Sequence, residues 1–166
     1  ALKTAMNELV EVLRILDKLS LVTYSTEAVV RFAGITADNK NLLKSQIDSL
    51  QTKGWTNGVK GLETAYEIAR KHYAFSGNNH IFLATDGVFN SPNFDEKALL
   101  DWVKQQASQG IKLSLIGFGD DKKAIRFMKK MSFFGGGNFI MMHPGLEENQ
   151  TLSLLIEEVK AQSAHP

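Results

Sequence analysis

Asp86 is the residue to which chemistry is most readily assigned. It follows the apolar run IFLAT, Ile81 to Thr85, and precedes Gly87 and the polar, proline-bearing VFNSPNF. A carboxylate where a strand stops can give an oxygen ligand to a hard cation, or can accept hydrogen bonds from its own turn. Thr56 offers companion chemistry, a neutral hydroxyl in the loop TKGWTNG ahead of a helical stretch. Taken alone, it equally suits a helix N-cap. The other candidates have plainer readings. His72, His80, His143 and His165 never fall at the i, i+4 spacing of zinc ligands on a helix. The glycine run Gly135 to Gly137 lacks a following Lys and Ser or Thr, so it reads as a turn and not as a phosphate cradle. Lys122, Lys123, Arg126, Lys129 and Lys130 read as the solvated face of a helix.

These side chains need a scaffold, and the hydrophobic pattern describes one. Leu2, Met6, Leu9, Val10, Leu13 and Leu16 recur at helical spacing in ALKTAMNELVEVLRIL, and LSLVTYS and AVVRF follow as two strands of a hairpin at a sheet edge. Helices are expected over Ala37 to Leu50, Val59 to His72, Phe94 to Ser108 and from Asp120 or Asp121 to about Met131, with a last one over Thr151 to Gln162. Between them HIFLAT, IKLSLIGFG and NFIMMH read as buried strands. Strands alternating with helices imply an α/β fold: a doubly wound, mostly parallel sheet with helices on both faces and one antiparallel edge strand. In such sheets ligands sit beyond the carboxyl ends of the strands, which is where Asp86 lies and where the Thr56 loop would have to end.

Composition narrows the function classes. With 166 residues, 43% of them hydrophobic, the chain has the size of a single domain with its own core. Its 19 basic and 18 acidic side chains nearly cancel, so no overall field draws in nucleic acid or an anionic membrane. The absence of cysteine excludes disulfides, thiolate metal sites and cysteine nucleophiles. No apolar run approaches the roughly 20 residues that cross a bilayer.

The segments DKLSLVTYSTEAVV, GWTNGVKGLETAYEIAR, HIFLATDGVFN and IKLSLIGFGDD, with GGGNFIMMH after them, resemble in order and separation the von Willebrand factor type A (VWA) family in its bacterial form. The resemblance covers nearly all of residues 1–166, read as one domain of a larger protein. It implies the family's Rossmann-like fold and a metal-ion-dependent adhesion site (MIDAS). Thr56 matches the threonine of the second metal loop and Asp86 the aspartate of the third, with Gly87 allowing the sharp turn beside it. The first loop, D-x-S-x-S, has no counterpart here, and the opening helix resembles the one that follows that loop. The chain is therefore expected to begin inside the family's pattern, without its central first strand. That leaves open edges on the strands at Leu19 to Ser25 and Ile81 to Thr85.

The function implied is a protein-binding module for adhesion or scaffolding. A magnesium ion (or calcium or manganese) would present an open coordination position to an Asp or Glu side chain of a partner protein. Trp55, Asn57 and Gly87 would form the partner-facing rim. Metal binding is expected to be weak or absent in this fragment, which lacks the ligands of the first loop. A metal-free VWA interaction domain is the alternative. A magnesium-dependent phosphohydrolase is a further one, disfavoured because no second strand-end acid other than Asp120 offers a nucleophile. Nucleic acid and direct membrane contact are not expected, and the resemblance makes a cell-envelope or periplasmic setting plausible.

Overall fold

A computed structural model describes residues 2–51, 58–89, 93–142, 153–154, 156–157 and 159–160. Helix α1 (Leu2–Val12) leads into the hairpin of β1 (Lys18–Tyr24) and β2 (Ala28–Thr36). A 3-10 turn (Ala37–Asn39) precedes α2 (Lys40–Asp48), and then come α3 (Gly58–Lys71), β3 (Asn79–Thr85), α4 (Glu96–Ser108), β4 (Ile111–Gly117), α5 (Lys122–Phe134) and β5 (Gly136–Met141). The described residues of the C-terminal stretch are helical.

β3, β4 and β5 form a parallel sheet in that order, while β1 and β2 form a separate antiparallel pair. Among the described residues no backbone ladder joins the two, so β1 and β3 each keep one edge without a strand partner, as the sequence pattern implied. Helix α3 covers both pieces, packing Leu62 and Tyr66 into the core that Leu83, Leu113, Leu115, Val103 and Met131 complete, with Tyr24 of β1 against it. On the opposite face Ala5 of α1 meets Ile116, Ile140 and Met142. Further along α1, Val10 joins Phe32, Leu43 and Ile47. The alternation of side chains along β3 and β4 feeds these two layers in turn, which is what makes the sheet doubly wound.

Most elements fall where their periodicity predicts, and the differences have local causes. α1 stops at Val12, and the Asp17 carboxylate folds back to accept from the Arg14 backbone N–H at 2.7 Å. Asp121, and not Asp120, caps α5, accepting from Ala124 N–H at 2.7 Å. That helix runs past Met131 to Phe134. The glycine run is not a free turn. Gly135 caps α5, while Gly136 and Gly137 already belong to β5. A side chain at Gly137 would collide with the Leu113 carbonyl and the Ser114 hydroxyl, so glycine here lets β5 lie close against β4.

Candidate functional site

Asp86 leaves the carboxyl end of β3 exposed to solvent, next to the buried Thr85. Its Oδ1 accepts from the Val88 backbone N–H at 3.0 Å, and the Thr85 hydroxyl accepts from Gly87 N–H at 3.1 Å. Two side chains thus hold a tight turn, the role that Asp86 taken alone can fill. Gly87 has φ +81, a left-handed conformation in which side chains are strained, and an added Cβ would lie 3.0 Å from the Ala124 Cβ of α5. The turn is therefore pressed onto the first turn of α5. Phe118, just past β4, donates its backbone N–H to the Thr85 carbonyl at 3.0 Å and closes this corner of the sheet.

The start of α3 meets the same corner. Gly58, its first residue, faces the ring of Phe89, which an added Cβ would approach to 2.6 Å. Phe89 is buried, stacks on Phe94 and meets Phe127 edge-on, so the segment after Asp86 is anchored between α3 and α5. One turn further along α3, Gly61 faces the ring of Tyr24 at the same 2.6 Å. The Tyr24 hydroxyl donates to the Ala84 carbonyl at 2.6 Å. Burial raises the pKa of this phenol, bonding with Thr85 opposes the rise, and the Asp86 carboxylate adds to it. Tyr24 is thus close enough to feel the charge at Asp86.

Of the residues singled out in the sequence, Asp86 and Gly87 sit together where expected. Thr56, Trp55 and Asn57 lie outside the described residues. Tyr24, Gly58, Gly61 and Phe89 were not foreseen. The one signal available was the pair of glycines three apart in the otherwise regular helix GVKGLETAYEIARK, a spacing that opens one face of α3 to two aromatic rings. Among the described residues no three acidic or histidine side chains converge into a metal cluster. The exposed carboxylate of Asp86 has the donor chemistry of a hard, oxygen-seeking cation, but one carboxylate already engaged with its own turn does not hold such an ion tightly. His80 belongs elsewhere: half-buried at the start of β3, it lies 2.8 Å from the Ser114 hydroxyl.

Comparison with known proteins agrees with the fold. The profile of the von Willebrand factor type A domain matches residues 1–143. A curated relative, the uncharacterized protein YfbK of Escherichia coli (strain K12), is 33% identical over 169 aligned positions, which take in 97% of this chain and 29% of that protein. The chain thus spans less than a third of its length. Among solved structures, a von Willebrand factor type A protein from Catenulispora acidiphila superposes with a TM-score of 0.76 at 19% identity, over 95% of this chain and 37% of that one. Proximal thread matrix protein 1 from the mussel byssus, with a zinc-occupied MIDAS motif, superposes with a TM-score of 0.72 at 18% identity, over 93% of this chain and 41% of that one. At those identities the likeness is one of fold.

Proposed function

Because the chain belongs to the von Willebrand factor type A family, whose domains generally serve as protein-interaction modules, we propose that it is a binding module and not an enzyme. It recognises an acidic side chain of a protein partner through a divalent cation held by Asp86 and Thr56. The observation that carries this reading is the contact of Gly58 with Phe89. Gly58 lies two residues past Thr56 in sequence and Phe89 three past Asp86, so the start of α3 and the segment after Asp86 meet, which supports the reading. When bound, such a cation supplies a positive centre with a coordination position left over for a carboxylate. Magnesium, calcium or manganese would suit the oxygen donors equally. The chain's own part is to hold Asp86 in a rigid turn and to offer Trp55, Asn57 and Gly87 as the rim. The zinc-occupied motif of the mussel protein lends support by likeness.

Because the Asp86 carboxylate is already engaged with its own turn, metal affinity in residues 1–166 is expected to be weak. A second reading, a metal-free VWA interaction domain, is favoured by a different observation: the Asp86 Oδ1 is already satisfied by Val88 N–H. Titration with manganese, followed by the loss of the free-ion paramagnetic resonance signal, separates the two. Weak binding that disappears in Asp86→Ala supports the metal-bridged reading, whereas binding indifferent to Asp86 replaces it with the metal-free one. A tight, stoichiometric isotherm would overturn the expectation of weak affinity.

A further inference from the structure

Helix α5 carries five cations and no anion in its thirteen residues, although the chain as a whole is nearly neutral. Ala124, Phe127, Met128 and Met131 turn inward, leaving the charges on the outer face. The structure divides those charges into two groups. At the far end Lys130 pairs with Glu96 at 3.6 Å, and the Lys129 ammonium lies 5.9 Å from the centre of the Phe139 ring. At the near end Lys122, Lys123 and Arg126 are exposed and form no ion pair with any described residue. Asp120 and Asp121 precede them, the second with its carboxylate turned to Ala124 N–H as the helix cap.

Two physical features make that near end unusual. Cations in the first turn oppose the positive end of the helix dipole, and like charges three and four residues apart repel one another. Neither arrangement helps the helix to form. The group also stands beside the proposed site, because Ala124, within the same turn, is the residue against which Gly87 is pressed.

We propose that Lys122, Lys123 and Arg126 form, with the Asp86 turn, one docking surface for an acidic segment of a partner protein, in which several carboxylates flank the one that reaches the cation. This inference rests on the reading of Asp86 as the recognition site and adds to it the chemistry of the partner around the bridging residue. Cations on the rim of an interface mainly raise the association rate and confer salt dependence. Three exposed cations with no ion pair among the described residues suit an extended acidic peptide better than a single isolated carboxylate.

The test uses fluorescence anisotropy with a labelled ten-residue peptide rich in Asp and Glu, its Asn and Gln counterpart, and a labelled RNA oligonucleotide. Each is titrated with magnesium and with chelator. The acidic peptide is expected to bind and the amide peptide not, with affinity falling as salt rises. K122E/K123E/R126E is expected to weaken binding by roughly tenfold or more, while Lys18→Glu at the far end of β1 leaves it unchanged. The triple variant places acids at a helix N-terminus, where they favour the helix, so circular dichroism should show it folded. Peptide binding that needs magnesium and Asp86 but ignores the triple variant overturns this inference and leaves the site reading standing. Binding lost in the triple variant but indifferent to Asp86→Ala overturns the site reading and with it the shared surface, leaving a basic patch that binds by itself. Binding of RNA without binding of the acidic peptide overturns the inference by assigning the patch to another class of partner.

Discussion

The hydroxyl of Tyr24 and the carbonyl of Ala84, 2.6 Å apart, form a hydrogen bond between β1 and β3, two strands that share no backbone ladder. The ring that carries this hydroxyl rests on Gly61, so one side chain links the edge hairpin, helix α3 and the strand that ends at Asp86.

Tyr24→Phe keeps the ring on Gly61 and removes only the donor. The Ala84 carbonyl then loses a part-buried partner, which costs about 1–2 kcal/mol. The midpoint of urea unfolding should fall accordingly with an unchanged slope, since the surface exposed on unfolding stays the same. A midpoint equal to that of the unmodified chain would mean that water replaces the phenol and that the link between the two sheets lies in packing alone.

Gly58→Ala probes the other junction. The new Cβ would stand 2.6 Å from the ring of Phe89, so Phe89 must move, and overpacking of this kind costs about 1–3 kcal/mol. Phe89→Leu in the same chain should recover part of the loss, because a smaller side chain can yield. If the double variant is no more stable than Gly58→Ala alone, measured by the same urea series, the two residues are not coupled through this contact.

The alternation of strands and helices was legible because it rests on periodicity, which β4 displays almost undiluted, with six of its seven residues buried. That β1 and β3 each keep an edge with no partner among the described residues was legible as well, although only through the family pattern. What could not be read were relationships between distant residues that differ little from chance in sequence. Nothing in VTYS or TDGVF announces that Tyr24 will reach Ala84 or that Phe89 will settle on Gly58. The glycine run was read as a turn, which holds at Gly135 but not at Gly136 and Gly137: local rules see conformational freedom there, whereas the tertiary structure uses the missing side chain of Gly137 to bring β5 against β4. Asp86 was read correctly as a strand-end acid, and the turn and metal readings could not be told apart because the same oxygen chemistry suits both.

His80 gives the fold a pH dependence. Burial, with a smaller contribution from the Lys112 charge, lowers its pKa from 6.5 to about 4, and the neutral ring stacks on Phe82 beside the Ser114 hydroxyl. A folded-state pKa below the unfolded value means that the unfolded chain takes up the proton first. Stability from this group is present above pH 6.5 and is lost as pH falls from there towards 4. The full loss is at most about 3 kcal/mol, reduced by the ring's residual contact with solvent. Urea midpoints between pH 7 and 4.5 should fall more steeply for the unmodified chain than for His80→Gln. Parallel curves would assign the acid sensitivity to carboxylates instead.

The turn-holding role of Asp86 and the metal role proposed for it can be separated by substitution. Asparagine retains a side-chain oxygen that can accept from Val88 N–H but lacks the charge, whereas alanine lacks both. If the residue only shapes its turn, Asp86→Asn should match the unmodified chain in stability, in manganese binding and in acidic-peptide binding, and Asp86→Ala should lose about 1 kcal/mol in urea unfolding. If the residue also holds a cation, Asp86→Asn should keep the stability and lose the metal. Removing the carboxylate should also lessen the rise in the Tyr24 pKa, which the Asp86 charge supports. An alkaline absorbance titration of the tyrosines would then show one phenol ionising at lower pH in both variants. That last change is expected whether or not metal binds, so it checks the placement of Asp86 beside Tyr24 independently of the function proposed for it.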